Sequence, residues 1–311
     1  MTRHFLSLLD LEAEELTALL DRADVLRAER GTTKERPLEG KTVVVLLEKA
    51  STRTRLSFEV GIHELGGRPL TLIAKDTQIG RGEPLPDTAR MLSGYAHGVV
   101  FRTSGHDRVE QLAAHASIPV INGLSERYHP CQLLADLQTV RAERPLAGTR
   151  VAWIGDGNNM AHSWILAAAR TGMSLRLASP EHYAPAPDIV GLAESLGADV
   201  EVVVDPREAV EGAHVVTTDV WASMGQEDEN AERQRAFRDY QVDAALMGRA
   251  DASAIFLHCL PAHRGEEVSA DVIDGPASRV WIEAENRLHA QKALLEALFG
   301  AQWMESARKG R

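Results

Sequence analysis

The sequence predicts an α/β protein with two doubly wound parallel-sheet domains and an active site in the cleft between them. Its 311 residues suit two domains of about 150 residues each. Short unbroken apolar runs, such as residues 42–47, alternate with helical stretches, and such runs are typical of strands covered on both faces. The pattern restarts after Pro145 and Gly148, so we predict domains at residues 1–144 and 145–311.

The elements of the first domain follow from local signals. Asp10 is a good N-cap for a helix that Gly31 ends, and leucines between them recur at helical spacing. A second helix begins at Ser51 and stops at the glycine pair 66–67. Strands are predicted at 42–47, 69–74, 98–101 and 119–121, and further helices at 85–94, 109–116 and 132–144.

The second domain repeats this organisation. A strand at 151–154 precedes a helix at 161–171. Further strands are predicted at 175–178, 200–204, 215–218, 254–257 and 280–283. A last helix from about Arg287 could pack back on the first domain, a point that the sequence leaves open.

Composition excludes several kinds of partner. The net charge of −11 disfavours nucleic acid and anionic membrane surfaces. No apolar run reaches the roughly 18–20 residues that span a bilayer, and acidic residues at 12–15 argue against a targeting peptide. Two cysteines, Cys131 and Cys259, are too few for a disulfide framework, which favours a reducing, cytoplasmic location.

The string of Ser51, Thr52, Arg53, Thr54 and Arg55 directly follows a predicted strand and opens a helix. Free amides at a helix N-terminus, hydroxyls and guanidinium groups together are suited to phosphate. The alternative is a capped helix with solvated arginines. The string lacks the glycines and lysine of a P-loop.

Two further strings follow strands or precede helices. His129 and Gln132 flank Pro130, which suits the first turn of a helix, although a histidine there is more often structural. The turn at 155–160 has the position of a dinucleotide-binding loop. Met160 occupies the place where that loop needs a small residue, so nicotinamide binding is disfavoured.

The last strings lie in the second domain. Asp219 ends a strand, where a carboxylate can pair with a substrate ammonium, and Ser223 and Met224 follow on a glycine-containing loop. Such a loop is more often packing than specificity. Cys259 follows another strand and, taken alone, is more often a buried inert thiol than a reactive one.

Taken together and in this order, the strings at 51–55, 129–132, 155–160, 219–227, and 258–261 with 285–287 resemble the aspartate/ornithine carbamoyltransferase family. The resemblance spans almost the whole chain. It implies transfer of a carbamoyl group from carbamoyl phosphate to the side-chain amine of ornithine, without a metal or organic cofactor. It also implies a homotrimer or an assembly of trimers, in which a loop containing Gln78 reaches a neighbouring subunit.

The resemblance also assigns roles to residues. It places Arg102, His129, Asp219 and Cys259 in catalysis. The implied carbamoyl-phosphate site comprises Ser51, Thr52, Arg53, Thr54, Gln78, Arg102, His129, Gln132, Cys259, Leu260 and Arg287. The implied ornithine site comprises Asn159, Asp219, Ser223 and Met224.

Other acceptors and other classes remain as alternatives. An aspartate-specific enzyme carries a lysine in the loop that matches residues 77–90, and this chain has none there. Acetylornithine and putrescine are nearer rivals, against which the Ser223-Met224-Gly225 string argues. A non-catalytic homologue would have lost one of the motifs, and a dehydrogenase is disfavoured by Met160. The sequence does not distinguish citrulline synthesis from the reverse reaction.

Overall fold

The computed structural model describes residues 2–222, 230–300, 303, 304 and 307. The chain divides into two compact units. The first contains the residues up to Gln138 and those from Glu285 onward, and the second is Thr139–Ala284. Each unit is built on a fully parallel sheet, which confirms the predicted α/β class. Within the described residues, no helix combines the length and apolarity needed to cross a membrane.

The first unit contains a four-stranded sheet in the order β2-β1-β3-β4. Its strands are β1 (Thr42–Leu47), β2 (Arg68–Ile73), β3 (Gly98–Arg102) and β4 (Val120–Leu124). The helices in this part of the chain are α1 (Ala13–Ala28), α2 (Thr52–Glu64), α3 (Leu85–Tyr95), α4 (His106–His115) and α5 (Pro130–Glu143). Strand β1 is buried from its second residue to its last, as its unbroken apolar run predicts.

The second unit contains a five-stranded sheet in the order β7-β6-β5-β8-β9. Its strands are β5 (Arg150–Ile154), β6 (Ser174–Ala178), β7 (Asp199–Val203), β8 (Val215–Thr218) and β9 (Ile255–His258). The remaining helices are α6 (Asn159–Thr171), α7 (Pro187–Ser195), α8 (Pro206–Val210), α9 (Asn230–Ala236), α10 (Ala244–Met247), α11 (Ala270–Ile273) and α12 (Val280–Leu298).

Both sheets are doubly wound. In each one, the direction in which successive strands are added across the sheet reverses at one place. In the first sheet the chain moves from β1 to β2 at one edge and then builds β3 and β4 on the other side. In the second it moves outward from β5 through β6 to β7, and then returns to build β8 and β9 beyond β5. Ligands of such sheets bind beyond the carboxyl ends of the strands at the reversal. The β1/β3 and β5/β8 pairs are therefore the places to look for a site.

The strand predicted at 280–283 is wrong, because these residues form the first turn of α12. The amide of Glu283 donates to the carbonyl of Arg279, four residues earlier, which is the helical pattern. Trp281 is 65% exposed, so the apolar run is not a buried strand. A run of four residues is too short for its periodicity to separate a strand from a helix.

Candidate active site

The string at 51–55 lies where the sequence places it, between the carboxyl end of β1 and the first turn of α2. Ser51 is extended, with φ −158° and ψ 109°, and occupies the N-cap position of α2. Thr54 is buried, whereas Arg55 is exposed and pairs with Glu59 at 2.9 Å. The same string thus places the positive end of a helix beside the buried Thr54 hydroxyl, while the Arg55 side chain lies on the exposed face of that helix.

Two guanidinium groups from distant parts of the chain converge on Thr54. Arg102, the last residue of β3, donates from Nη1 to Thr54 Oγ1 at 3.3 Å. Arg287, in α12, donates from Nη2 to the same oxygen at 3.4 Å and from Nη1 to Gln132 Oε1 at 2.6 Å. The first unit therefore gathers positive charge at the β1/β3 reversal, although the whole chain is acidic.

His129 is buried beside this positive charge. Burial lowers its pKa well below the ordinary histidine value, and Arg287, Arg102 and Arg53 lower it further. The imidazole is therefore neutral at physiological pH. A neutral ring has one N–H that can donate a hydrogen bond without adding another charge to the cluster.

Gln132 is held at both ends of its amide group. Its Oε1 accepts from Arg287, and its Nε2 donates to Asp136 Oδ1 at 2.7 Å. The neighbouring Cys131 is fully buried and its thiol donates to the carbonyl of Asn122 at 3.4 Å. Burial raises the pKa of the Cys131 thiol to about 12, so this cysteine is an inert part of the core.

Within the described residues, Gln78 makes no hydrogen bond to this group. It is exposed, in the connection between β2 and α3, and its carbonyl accepts from the amides of Arg81 and Glu83 at 2.9 and 3.1 Å. Its contribution to a site across a subunit boundary remains a prediction.

The second unit has its own cluster at the carboxyl ends of β5, β8 and β9. Asp219 follows β8, is buried, and accepts through Oδ1 from the thiol of Cys259 at 3.1 Å and from the amide of Val220 at 2.8 Å. Its Oδ2 accepts from Asn158 Nδ2 at 3.0 Å. The carboxylate is therefore fixed in one orientation beside a half-buried thiol.

Asn158 is a residue that the sequence interpretation missed. Its Oδ1 caps α6 by accepting from the amides of Met160 and Ala161 at 2.8 and 3.3 Å, while its Nδ2 reaches Asp219. Asn159 is the first residue of α6 and is half-buried. An asparagine immediately before an apolar helix is a recognisable N-cap, so the sequence did carry a signal for Asn158.

The loop that contains Ser223 and Met224 is described only at its flanks, since both residues lie outside the described part of the chain. Arg233, in α9, is buried and donates from Nη1 to Asp156 Oδ2 at 3.0 Å and to the carbonyl of Trp221 at 2.9 Å. The Arg233 guanidinium group thereby connects Trp221, on the flank of this loop, to Asp156 in the turn that follows β5.

Two groups of described residues bring three potential metal-ligand atoms within 4.8 Å of one another. They are Asp219 with His258 and Cys259, and His263 with Glu266 and Glu267. In the first group the thiol already donates to the carboxylate, and His258 has its own carboxylate partner in Glu267. Hydrogen bonding accounts for the proximity, and the expectation that no metal is required remains a prediction.

The two clusters define a class of protein: a two-unit α/β protein with a guanidinium-rich cluster at one sheet reversal and a carboxylate–thiol pair at the other. Sequence comparison makes this class specific. Residues 3–142 match the carbamoyl-phosphate-binding domain of aspartate/ornithine carbamoyltransferases, and residues 147–298 match the Asp/Orn-binding domain. The chain belongs to the aspartate/ornithine carbamoyltransferase family.

Individual relatives agree with the family match. An ornithine carbamoyltransferase of Hydrogenovibrio crunogenus is 52% identical over 95% of this chain and 98% of its own. A Pseudomonas aeruginosa protein described as an anabolic ornithine carbamoyltransferase is 54% identical over 95% of this chain and 97% of its own. The solved ornithine carbamoyltransferase of Pyrococcus furiosus has a TM-score of 0.91 and 47% identity, covering 95% of this chain and 96% of that one.

Proposed function

We propose that this protein is an ornithine carbamoyltransferase, which moves the carbamoyl group of carbamoyl phosphate to the side-chain amine of L-ornithine and releases L-citrulline and phosphate. The observation that carries the proposal is that each sheet has a different set of functional groups at the place where its strand order reverses. One unit gathers arginines around a helix N-terminus, and the other fixes a carboxylate beside a thiol. The full-length relatives support the same activity.

The phosphate half of carbamoyl phosphate is assigned to the first turn of α2 and the two converging arginines. Ser51, Thr52, Arg53 and Thr54 offer hydroxyls, amides and one guanidinium group at the positive end of a helix. Arg102 and Arg287 both reach Thr54, so a phosphate near that hydroxyl would meet two guanidinium forks. Gln78 is assigned to the same phosphate in a neighbouring subunit.

The carbamoyl half is assigned to His129 and Gln132, together with the backbone of Cys259 and Leu260. His129 is neutral because of its depressed pKa, and it can donate to the carbamoyl oxygen. Arg102 is close enough to Thr54 for both to face that oxygen as negative charge develops. Gln132 is fixed by Arg287 and Asp136, which sets the orientation of its amide toward the ligand.

The acceptor is assigned to the cluster of the second unit. The Asp219 carboxylate suits an ammonium group of the substrate. The Cys259 thiol, whose Sγ is 3.1 Å from Asp219 Oδ1, would lie beside the attacking amine of ornithine. Asn159 and, from the structure, Asn158 supply amides at the N-terminus of α6. Ser223 and Met224 are assigned to the ornithine side on the basis of the family motif alone.

The reaction requires the ornithine amine in its neutral form. Its nitrogen lone pair forms a bond to the carbamoyl carbon, and the tetrahedral oxyanion is stabilised by Thr54, Arg102 and His129. The bond between that carbon and the bridging phosphate oxygen then breaks. The departing phosphate takes the proton that the nitrogen loses, so atoms and charge balance. Most of the acceleration comes from positioning and electrostatics.

The assembly and location are also part of the proposal. We propose a homotrimer in the cytoplasm that serves arginine biosynthesis. In the first unit Leu56, Met91 and Tyr95 are 55%, 40% and 79% exposed, and exposed apolar side chains support a subunit interface. Neither Cys131 nor Cys259 is part of a disulfide, which supports a reducing compartment. Light scattering should give three times the 34.0 kDa chain mass.

The deciding experiment is a citrulline assay with carbamoyl phosphate and ornithine, run beside acetylornithine, putrescine and aspartate. We expect strong activity with ornithine alone. Activity with another acceptor would retain the phosphate assignments and overturn the acceptor assignments. The absence of activity with all four acceptors would favour a non-catalytic homologue.

A further inference from the structure

His258, the residue that precedes Cys259, forms a buried pair with Glu267. His258 is the last residue of β9, and neither its side chain nor that of Glu267 has any exposed surface. His258 Nε2 lies 3.1 Å from Glu267 Oε1. On the other side of the ring, Nδ1 accepts from the backbone amide of Leu260 at 2.9 Å. The ring therefore connects a buried carboxylate to the backbone of the residue after Cys259.

The partners of the ring fix its tautomer. An amide N–H can only donate, so Nδ1 must present its lone pair to Leu260. The remaining proton is therefore on Nε2, where the carboxylate of Glu267 accepts it. A carboxylate that selects the tautomer of a histidine also fixes the orientation of the ring. If the ring rotated, the Leu260 amide would lose its acceptor.

Cys259 is held between these two fixed residues. The amide of His258 donates to Glu283 Oε2 at 2.9 Å, and the amide of Leu260 donates to the His258 ring. Leu260 has φ 58°, in the left-handed region that non-glycine residues rarely adopt. A residue in that region persists only when its surroundings impose the conformation, and such residues cluster at functional sites. With both flanking amides fixed, the Cys259 thiol is directed at Asp219.

The carboxylate of Glu267 is itself anchored. Its Oε1 also accepts from the amide of His263 at 2.6 Å, and the backbone carbonyl of Glu267 accepts from Val242 at 2.9 Å. Burying a carboxylate is costly unless its partners offset the lost hydration. The neighbouring Glu266 is 36% exposed at its side chain and does not contact the His258 ring at hydrogen-bonding distance.

We propose that Glu267 is a positioning residue for the acceptor half of the reaction. Through the tautomer and orientation of His258, it holds Leu260 in its left-handed conformation and thereby directs the Cys259 thiol and the adjoining backbone. Glu267 does not contact substrate in this proposal. The inference rests on the proposed function, since it concerns the residues assigned to the ornithine amine.

Two substitutions at Glu267 and a matched control test the proposal. Glu267→Leu removes the acceptor of the His258 proton, while Glu267→Gln retains an oxygen that can accept it. Glu266→Gln is the control, since it alters the adjacent carboxylate and leaves the ring bonded. His258→Gln is a second route: its Nε2 can still donate to Glu267, but its Cγ methylene leaves no acceptor at the position of Nδ1 for the Leu260 amide. This variant keeps the test decisive if Glu267→Leu does not fold.

The readouts separate positioning from general damage. In Glu267→Leu and His258→Gln we expect kcat/KM for ornithine to fall about 10- to 100-fold, with KM for carbamoyl phosphate changed less than about twofold. Iodoacetamide alkylation of Cys259, followed by peptide mass spectrometry, should become several-fold faster as the thiol leaves Asp219. Buried Cys131 should stay unmodified, which reports an intact fold. Glu267→Gln should recover most of the ornithine kcat/KM.

Two results would overturn the proposal. The first is a Glu267→Leu or His258→Gln protein with ornithine kinetics and Cys259 alkylation like those of the parent. The second is an equal loss for both substrates with alkylation of Cys259 unchanged. The alkylation rate does not depend on turnover. A parent protein that makes no citrulline would therefore contradict the proposed function, whereas unchanged alkylation in both variants would contradict the positioning role.

Discussion

Arg102 and Arg287 donate to the same oxygen, Oγ1 of Thr54, at 3.3 and 3.4 Å. The two arginines come from a strand end and from α12, and they meet at a residue in the first turn of α2. Two like charges held this close to one hydroxyl favour a bound anion, because an anion would offset their mutual repulsion. This relationship sets the first two predictions.

Arg102→Ala should lower kcat for citrulline formation by about 100- to 1000-fold, since it removes a charged donor to the oxyanion. Steady-state kinetics measures the loss, and circular dichroism checks the fold. Arg55→Ala is the matched control, because Arg55 belongs to the same string but is exposed and pairs with Glu59. Near-parental turnover in Arg102→Ala would remove Arg102 from the mechanism.

Arg287→Lys should raise KM for carbamoyl phosphate about 10-fold or more while the enzyme still folds. A lysine keeps the positive charge but cannot contact Gln132 and Thr54 together in the planar geometry that arginine provides. Arg264→Lys, at an exposed pair with Asp274, should leave KM unchanged. Equal KM values for the Arg287 variant and the parent would contradict the phosphate assignment.

Asn158→Ala should have two separable effects. Loss of the α6 cap should lower the free energy of unfolding by about 1 kcal/mol. Loss of the bond to Asp219 should raise KM for ornithine several-fold. Asp205→Ala removes the cap of α8 without touching Asp219, so it should reproduce only the change in stability. If the two variants had the same ornithine kinetics, Asn158 would be a cap and nothing more.

His289 should make the protein less stable in mild acid. Burial and the positive charge of Lys292 together lower its pKa from 6.5 in an unfolded chain to about 4 in the folded protein. Below pH 6.5 the unfolded chain therefore takes up a proton that the folded protein accepts only near pH 4. Stability is full above pH 6.5 and is lost as the pH falls toward 4.

The variant His289→Leu isolates that contribution. Urea unfolding at pH 7.5 and 5 should show a decrease that is smaller in the variant than in the parent by on the order of 1–2 kcal/mol. Other histidines with lowered pKa, such as His106, contribute equally to both proteins and cancel in the comparison. Identical pH dependence in the two proteins would exclude His289 as a cause.

Only one of the two thiols should react in the native protein. Cys131 is fully buried, with a pKa raised to about 12, whereas Cys259 is half-buried. A thiol-disulfide reagent should therefore titrate one group per chain at pH 7.5 and two after denaturation. Cys259→Ser should abolish the native reaction. Reaction of two thiols in the folded parent would contradict the described burial of Cys131.

Much of the fold follows from local patterns. The predicted parallel strands at 42–47, 98–101, 151–154 and 215–218 are confirmed, because buried strands bounded by glycine or proline need no partner to be recognised. The strand at 280–283 is wrong for the opposite reason. Its apolar run begins a helix whose remaining turns carry the distinguishing information, and a four-residue window excludes them.

The residues of the candidate site are likewise of two kinds: some are predictable from the local sequence, and others are brought together only by the fold. Ser51 and Thr54 are recognisable because a strand, a cap and a helix start coincide in one string. Arg102 and Arg287 resemble any other arginine in sequence, since their convergence on Thr54 is a property of the folded chain. Glu267 was equally hidden, as nothing local indicates that its carboxylate is buried against His258. Local sequence patterns predict which adjacent residues act together, whereas contacts between residues distant in sequence become visible only in the folded structure.

The first unit is assembled from both ends of the chain, with Arg287 bonded to Thr54 across 233 positions. During synthesis the ribosome releases residues 52–138 long before Arg287 exists, so the arginine cluster around Thr54 cannot form while the chain is still growing through the second unit. Loop closure over such a span is entropically costly and slow. Until the residues from Glu285 onward are synthesised, the first unit therefore exposes surface that they cover in the folded protein. Chaperone binding or aggregation would occur during that interval.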